Sequence, residues 1–227
     1  MADEKGRFRY LVEGRLINIE NKVYTLDREG GRSVYGESLL ELDGAAWREW
    51  IPWRSKLGAL FTKRPGMTLK FEGDVLYLGA AQGTTVSHIS DLLEGGAIYA
   101  VEFSRAPFIK LSDLSRKRDN IVPILEDAFH PERYRAIVPT VSTVYQDVAQ
   151  KEQLEMFLLN CGIFLRPGGL GVLMLKSRSV DVTARPSEIF EKVSSGLVKD
   201  GFTILETVDL SPYQIDHFAF VLRRKGP

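Results

Sequence analysis

Residues 75–85, Val-Leu-Tyr-Leu-Gly-Ala-Ala-Gln-Gly-Thr-Thr, constrain the fold more than any other stretch of the chain. Val75 to Leu78 is a short uncharged apolar run, the pattern of a strand buried on both faces. A turn of small residues follows at once, Gly79 through Ala81 to Gly83, interrupted only by Gln82. Thr84 and Thr85 are placed to cap a helix running through Val86, Ile89, Leu92 and Leu93 at helical spacing. A strand, a glycine turn and a helix start make a holder for a nucleotide-like ligand. Glycines let the ligand approach the backbone, and the free N–H groups of the helix start offer donors.

The turn reads Gly-x-x-x-Gly, which lacks the Gly-x-Gly-x-x-Gly spacing that fits a pyrophosphate. By itself such a turn can also serve only to pack a helix on a strand. The next apolar run, Ala97 to Phe103, ends in Glu102-Phe103. A carboxylate about 20 positions after the first glycine, at the carboxyl end of a second strand, is placed to accept from ribose hydroxyls. A nucleoside site without a pyrophosphate signature suits S-adenosylmethionine better than NAD.

At 227 residues the chain can form one large domain, or one domain with a small companion. No apolar run approaches the roughly 18 residues of a membrane span. The first residues lack the apolar core of a signal peptide. The single cysteine, Cys161, sits in an apolar helical pattern and reads as a buried small hydrophobe. It excludes an internal disulfide and points to a reducing, cytoplasmic home. His88, His130 and His217 form no close ligand pair, so no metal is expected. The formal net charge is zero, whereas proteins that grip nucleic acid unaided are usually basic.

Residues 1–70 lack regular alternation of strand and helix. Phe8–Val12, Arg15–Ile19, Lys22–Leu26 and Ser33–Tyr35 read as short strands punctuated by Gly14, Asn21 and Gly30-Gly31, a small antiparallel β domain. From Trp47 to Lys70 six basic residues and one acidic one are interleaved with three tryptophans. That is the composition of an RNA-facing surface, or of a connector whose tryptophans pack on the next domain. Residues 71–227 alternate. Helices are predicted over 106–118, 131–138, 151–165 and 186–199, and strands over 121–125, 141–145, 170–175, 202–208 and 218–222. No helix fits between the last two strands, so they should pair antiparallel. The prediction is a doubly wound, mostly parallel seven-stranded sheet.

In such sheets the ligand lies outside the carboxyl ends of the strands. Gly79, Glu102, Asp127, Asp147 and Lys176 fall at those ends. His217, at the start of an antiparallel last strand, falls on the same edge. Any one of them has an ordinary structural explanation as a cap, a solvated end or a satisfied histidine. Together they assign Glu102 to the ribose, Asp127 and Ala128 to an adenine edge, and Asp147 and Lys176 to the reacting centre.

These residues resemble the fibrillarin family of box C/D ribonucleoprotein 2′-O-methyltransferases in its archaeal form. The matching stretches are Trp-Arg-Ser-Lys-Leu-Gly-Ala (53–59), Val-Leu-Tyr-Leu-Gly-x-x-x-Gly-Thr-Thr (75–85), Val-Glu-Phe-Ser (101–104), Asn-Ile-Val-Pro-Ile-Leu-x-Asp-Ala (120–128), Asp-Val-Ala-Gln (147–150), Lys-Ser-Arg-Ser-Val-Asp-Val-Thr (176–183) and Asp-His (216–217). The resemblance implies a class I S-adenosylmethionine methyltransferase fold. It implies methylation of ribosomal RNA, with transfer RNA as a further target. It also implies that Gly79, Ala81, Gly83, Thr84, Thr85, Glu102, Phe103, Asp127, Ala128, Asp147, Val148, Ala149 and Gln150 contact the cofactor. Lys56, Asp147, Lys176 and His217 would be its catalytic set; Lys56 enters only through the resemblance. The implied partners are a Nop-type scaffold protein, a kink-turn-binding ribosomal-like protein, a box C/D guide RNA and the target RNA, with no membrane. Gln82 stands where the family has serine, Gln146 where it has an acidic residue beside Asp147, and Phe218 where it has alanine. Two other classes remain open at this point: a methyltransferase of protein side chains such as glutamine or of small molecules, and a noncatalytic assembly module.

Overall fold

The computed structural model describes residues 8–67 and 69–226. The first strands are β1 (Arg9–Val12), β2 (Leu16–Ile19), β3 (Lys22–Leu26), β4 (Leu39–Leu42) and β5 (Ala45–Glu49). They form an antiparallel sheet in the order β1-β2-β3-β5-β4. Alternation puts Ile17, Tyr24 and Trp47 into a small cluster on one face, while Leu16 and Val23 face the rest of the molecule. Ser33–Tyr35 is not a strand. Its backbone is bent around two carboxylates: Asp27 accepts from Glu29 N and Gly31 N, and Glu37 accepts from Val34 N and Tyr35 N. The sequence expectation missed β4 and β5 because both are short, Leu39–Leu42 and Ala45–Glu49, and Trp47 looked like part of a basic connector.

After α1 (Lys56–Lys63) the chain alternates: β6 (Val75–Leu78), α2 (Thr84–Leu92), β7 (Ile98–Glu102), α3 (Arg105–Ser115), β8 (Ile121–Leu125) and β9 (Val141–Gln146). Then come α4 (Gln153–Phe164), β10 (Leu165–Lys176), the one-turn α5 (Ser177–Val180), α6 (Pro186–Lys199), β11 (Phe202–Asp209) and β12 (His217–Arg224). The expected helix over 131–138 is only a 3-10 turn, Pro131–Arg133, because Tyr134 is drawn into the core and its hydroxyl donates to Ala128 O at 3.3 Å.

The seven strands run in the order β11-β12-β10-β9-β6-β7-β8, and only β12 is antiparallel to its neighbours. Chain order therefore reverses beside β6, where β7 lies on one flank and β9 on the other. A crevice opens at such a reversal, outside the carboxyl ends of the two strands. Both faces are covered. Val75 and Tyr77 join Val86, Ile89 and Leu111 on one side, and Leu76 and Leu78 join Met156, Phe157 and Leu197 on the other. Cys161 lies in the second cluster, where burial pushes its thiol well above the usual range.

A buried ionic cluster pins the antiparallel sheet to α2. Arg48 in β5 reaches Glu37 and Asp91, both at 2.7 Å, and Asp91 also meets Arg118 at 2.6 Å. His88, fully buried, is clamped between the Thr25 hydroxyl at 2.7 Å and the Tyr35 hydroxyl at 2.8 Å, and its ring stacks on Trp50 at 4.6 Å. No periodicity announces this cluster, whose members come from five separate stretches of chain.

Candidate active site

The reversal in strand order dictates the first contact. Leu78 and Gln146 are register partners, so the turn after β6 and the loop after β9 leave the sheet side by side. Asp147 N donates to Leu78 O at 2.9 Å. Gly79 adopts φ +81, and a Cβ built there would lie 2.6 Å from the Asp147 carbonyl oxygen. Only glycine leaves room for the Asp147 loop at that place.

The turn and its neighbours line a hollow of about 140 Å³. Gly79 and Ala81 form one wall, Glu102 and Phe103 a second, Asp127 and Ala128 a third, and Asp147, Val148, Ala149 and Gln150 close the fourth. The predicted cofactor residues Gly83, Thr84 and Thr85 do not line it. Gly83 is the N-cap of α2 at φ +89, and neither threonine caps that helix, because the glycine already sets the entry angle. Thr85 Oγ1 instead meets Ser55 Oγ at 2.9 Å. Glu102 supports the turn as well as facing the hollow: it accepts from Ala81 N at 2.9 Å through one oxygen and from Ser104 N at 2.8 Å through the other. Each oxygen keeps a further lone pair for a hydroxyl. Four carboxylates, Glu102, Glu126, Asp127 and Asp147, around a small hollow also lined by apolar Val101 and Met156 suit a ligand with hydroxyl and amine donors on a flat ring. They do not suit a phosphate.

Beside the hollow stands a second group of residues. Lys56 Nζ lies 2.6 Å from Asp147 Oδ1. Lys176 ends β10 and His217 begins β12, and the antiparallel register makes them direct partners. His217 is almost wholly buried and its Nδ1–H donates to Ile215 O at 2.7 Å, which leaves Nε2 as an acceptor. Burial lowers the His217 pKa first. The Ile215 carbonyl raises it, Lys56 lowers it, Asp147 raises it and Lys176 lowers it. A single imidazole thus feels Lys56, Asp147 and Lys176 at once, so all four predicted residues share one corner of the rim.

The corner is held from outside by residues beyond the catalytic set, of which Gln153 alone lies outside the matching stretches. Ser55 caps α1 by accepting from Gly58 N at 3.2 Å, and Thr85 holds that serine. Lys56, the first residue of α1, is thereby tied to the start of α2. Gln153 is fully buried, and its amide bridges Gln150 O, Lys176 O and Lys176 N, at 2.7, 3.1 and 2.9 Å. Asp216 O accepts from Ser177 N and Ser177 Oγ, and its carboxylate pairs with Arg178 at 3.0 Å, so the stretches 176–183 and 216–217 lock together.

A family model described as Fibrillarin matches residues 4–226, almost the whole chain. The chain belongs to the fibrillarin family. A fibrillarin-like rRNA/tRNA 2′-O-methyltransferase of Archaeoglobus fulgidus is 49% identical over 187 residues, 82% of this chain and 86% of that protein. The structure of Aeropyrum pernix fibrillarin in complex with natively bound S-adenosyl-L-methionine superposes with a TM-score of 0.82 at 39% identity, covering 91% of this chain and 92% of that one. A fibrillarin/Nop5p complex superposes with a TM-score of 0.84 at 43% identity, covering 92% of this chain and 97% of that one.

One sequence expectation is corrected by the fold. Trp47 and Trp50 are not RNA-facing: Trp47 packs on the antiparallel sheet and Trp50 is fully buried against Phe61 and His88. Trp53 alone of the three is exposed, at 60%, standing edge-on to Tyr213 at 5.0 Å. Gln146 ends β9 directly before Asp147. Successive strand residues point to opposite faces, and the Gln146 amide is buried, donating to Gln153 O at 2.7 Å.

Proposed function

We propose that this chain is an RNA 2′-O-methyltransferase that transfers the methyl group of S-adenosylmethionine to a ribose hydroxyl, as the catalytic subunit of a box C/D guide-RNA particle. One observation carries the reading: Lys56, Asp147, Lys176 and His217 gather beside an acceptor-lined hollow at the rim of the parallel sheet. The fibrillarin-like relative named for rRNA and tRNA supplies the substrate class, and the cofactor-bound fibrillarin supports the donor.

When bound, the cofactor supplies an electrophilic methyl group. Glu102 would accept from the ribose and Asp127 from the adenine amine, and Gly79, Ala81 and Ala128 leave room for both. The remaining work belongs to the rim. Lys56 fixes the Asp147 carboxylate, and Asp147 and Lys176 orient the incoming 2′-hydroxyl. His217, uncharged with Nδ1–H committed to Ile215 O, offers Nε2 as the route by which the hydroxyl proton leaves.

The fibrillarin/Nop5p complex supports a Nop-type scaffold as partner. A kink-turn-binding protein, guide RNA and target RNA complete the proposed particle, in the cytoplasm. A net charge of zero fits a catalytic subunit whose substrate is presented by others. The division near residue 70 into a small β unit and a methyltransferase unit belongs to the same reading. Among the described residues no helix is long and apolar enough to cross a membrane.

Guide-directed methylation of a short RNA in the reconstituted particle tests the proposal. Lys176→Ala should keep cofactor binding and lose roughly 10²-fold or more in methyl transfer. Near-normal turnover would remove Lys176 from the chemistry. Methyl transfer to protein glutamine with none to matched RNA would replace the substrate class.

A further inference from the structure

The turn 79–84 has two sides. Gly79 and Ala81 face the cofactor hollow, while Gln82 and Thr84 line a separate depression of about 460 Å³. Its walls carry four cations from three places in the chain: Arg32 from the loop after β3, Arg54 from the loop before α1, and Lys110 and Lys117 from α3 and just beyond it. All four are exposed. Two carboxylates also line it, but each pairs with a cation outside the four, Glu29 with buried Arg118 at 3.2 Å and Asp113 with Arg116 at 2.8 Å. Among the described residues no carboxylate pairs with any of the four cations. Lys110 donates to Gln82 at 2.9 Å, and the Arg54 guanidinium lies over the Tyr35 ring at 5.5 Å, so two of the four are already positioned.

A chain of zero net charge that concentrates unpaired cations in one groove has built a local site for a polyanion. The guanidinium forks of Arg32 and Arg54, in a groove that the Thr84 side chain also lines, match phosphate oxygens. Arg54 lies two residues from Lys56 of the catalytic corner, with exposed Trp53 beside it, so the groove and the acceptor site flank the same loop. We propose that this groove grips the sugar–phosphate backbone of the RNA flanking the acceptor ribose. The inference rests on the RNA methyltransferase reading and adds to it where the strand runs.

The test is fluorescence anisotropy of a short labelled RNA duplex titrated with the full chain between roughly 50 and 200 mM salt. The probe is run against wild type and Arg32→Ala/Lys117→Ala, with cofactor binding by calorimetry as a control. Each phosphate that is no longer neutralised should flatten the plot of log K against log salt by about 0.9 and weaken binding roughly tenfold at about 0.1 M salt. Cofactor binding should not change, because neither residue touches the hollow. Unchanged RNA affinity and slope in the double variant overturn the inference. Wild-type chain that binds no cofactor and methylates no guided RNA would instead sink the function itself, so the two failures are distinguishable.

Discussion

Gly79→Ala isolates what the glycine turn does for the site. The backbone there has φ +81, and left-handed geometry costs a residue with a Cβ about 1–2 kcal/mol. Gly201, between α6 and β11, has almost the same angle, φ +83, yet a Cβ there meets nothing within 4 Å. The two substitutions share the backbone cost and differ in one respect. The new methyl at position 79 would sit 2.6 Å from Asp147 O, so the gap must open by about 0.8 Å to reach the 3.4 Å of ordinary contact. That displaces the loop bearing the Asp147 carboxylate and its ion pair with Lys56. Forcing atoms into a packed site costs about 1–3 kcal/mol beyond the backbone term, and misplacing a catalytic group by about 1 Å costs on the order of 10²-fold in rate. Gly201→Ala should therefore lower the urea midpoint slightly and leave guided methylation intact. Gly79→Ala should lose more stability, weaken cofactor binding in calorimetry and drop methyl transfer by about two orders of magnitude. Equal urea midpoints, cofactor affinities and rates for the two variants would refute the close approach as the reason for the glycine.

The buried ionic cluster yields two further expectations. Asp91→Ala leaves Arg48 and Arg118 buried without their shared carboxylate, and removing one partner of such a set costs about 3–5 kcal/mol; a urea-unfolding loss below about 1 kcal/mol would contradict it. His88 is held well below its ordinary pKa, first by burial and then by Arg48 and Arg118. Its folded value is depressed, so the unfolded chain binds the proton first. The stability His88 carries is complete above about pH 6.5 and falls as pH drops through and below that value, by up to about 1.4 kcal/mol per pH unit. Asp91, whose pKa burial raises, works in the opposite direction. The measurement is therefore the difference in pH slope of the urea midpoint between wild type and His88→Gln, and identical slopes would count against a neutral buried imidazole.

Local chemistry made much of this protein legible before any tertiary contact was known. The uncharged run Val75–Leu78 and the glycines after it declare a buried strand and its turn because the pattern is short-range. The same holds for Leu170–Leu175 and for the helix Pro186–Lys199, which begins on proline as helices do. Once strands alternate with helices, their carboxyl ends share an edge, so Glu102, Asp127, Asp147 and Lys176 were placed without coordinates. Lys56 was not. It precedes the alternating region, and only the Ser55–Thr85 contact and the pairing with Asp147 bring it to the rim.

The sequence by itself determined the parallel sheet, its ligand-bearing edge and the residue types along it, because strand period, helix period and glycine turns are written in neighbouring residues. Tertiary structure alone decided that Trp47 and Trp50 are core while Trp53 faces outward, and that Gln153 rather than a threonine cap steadies the site. It also decided that Arg32, Arg54, Lys110 and Lys117 share one groove. Burial and charge pairing depend on segments scores of residues apart meeting in space, and no local pattern encodes which of them meet.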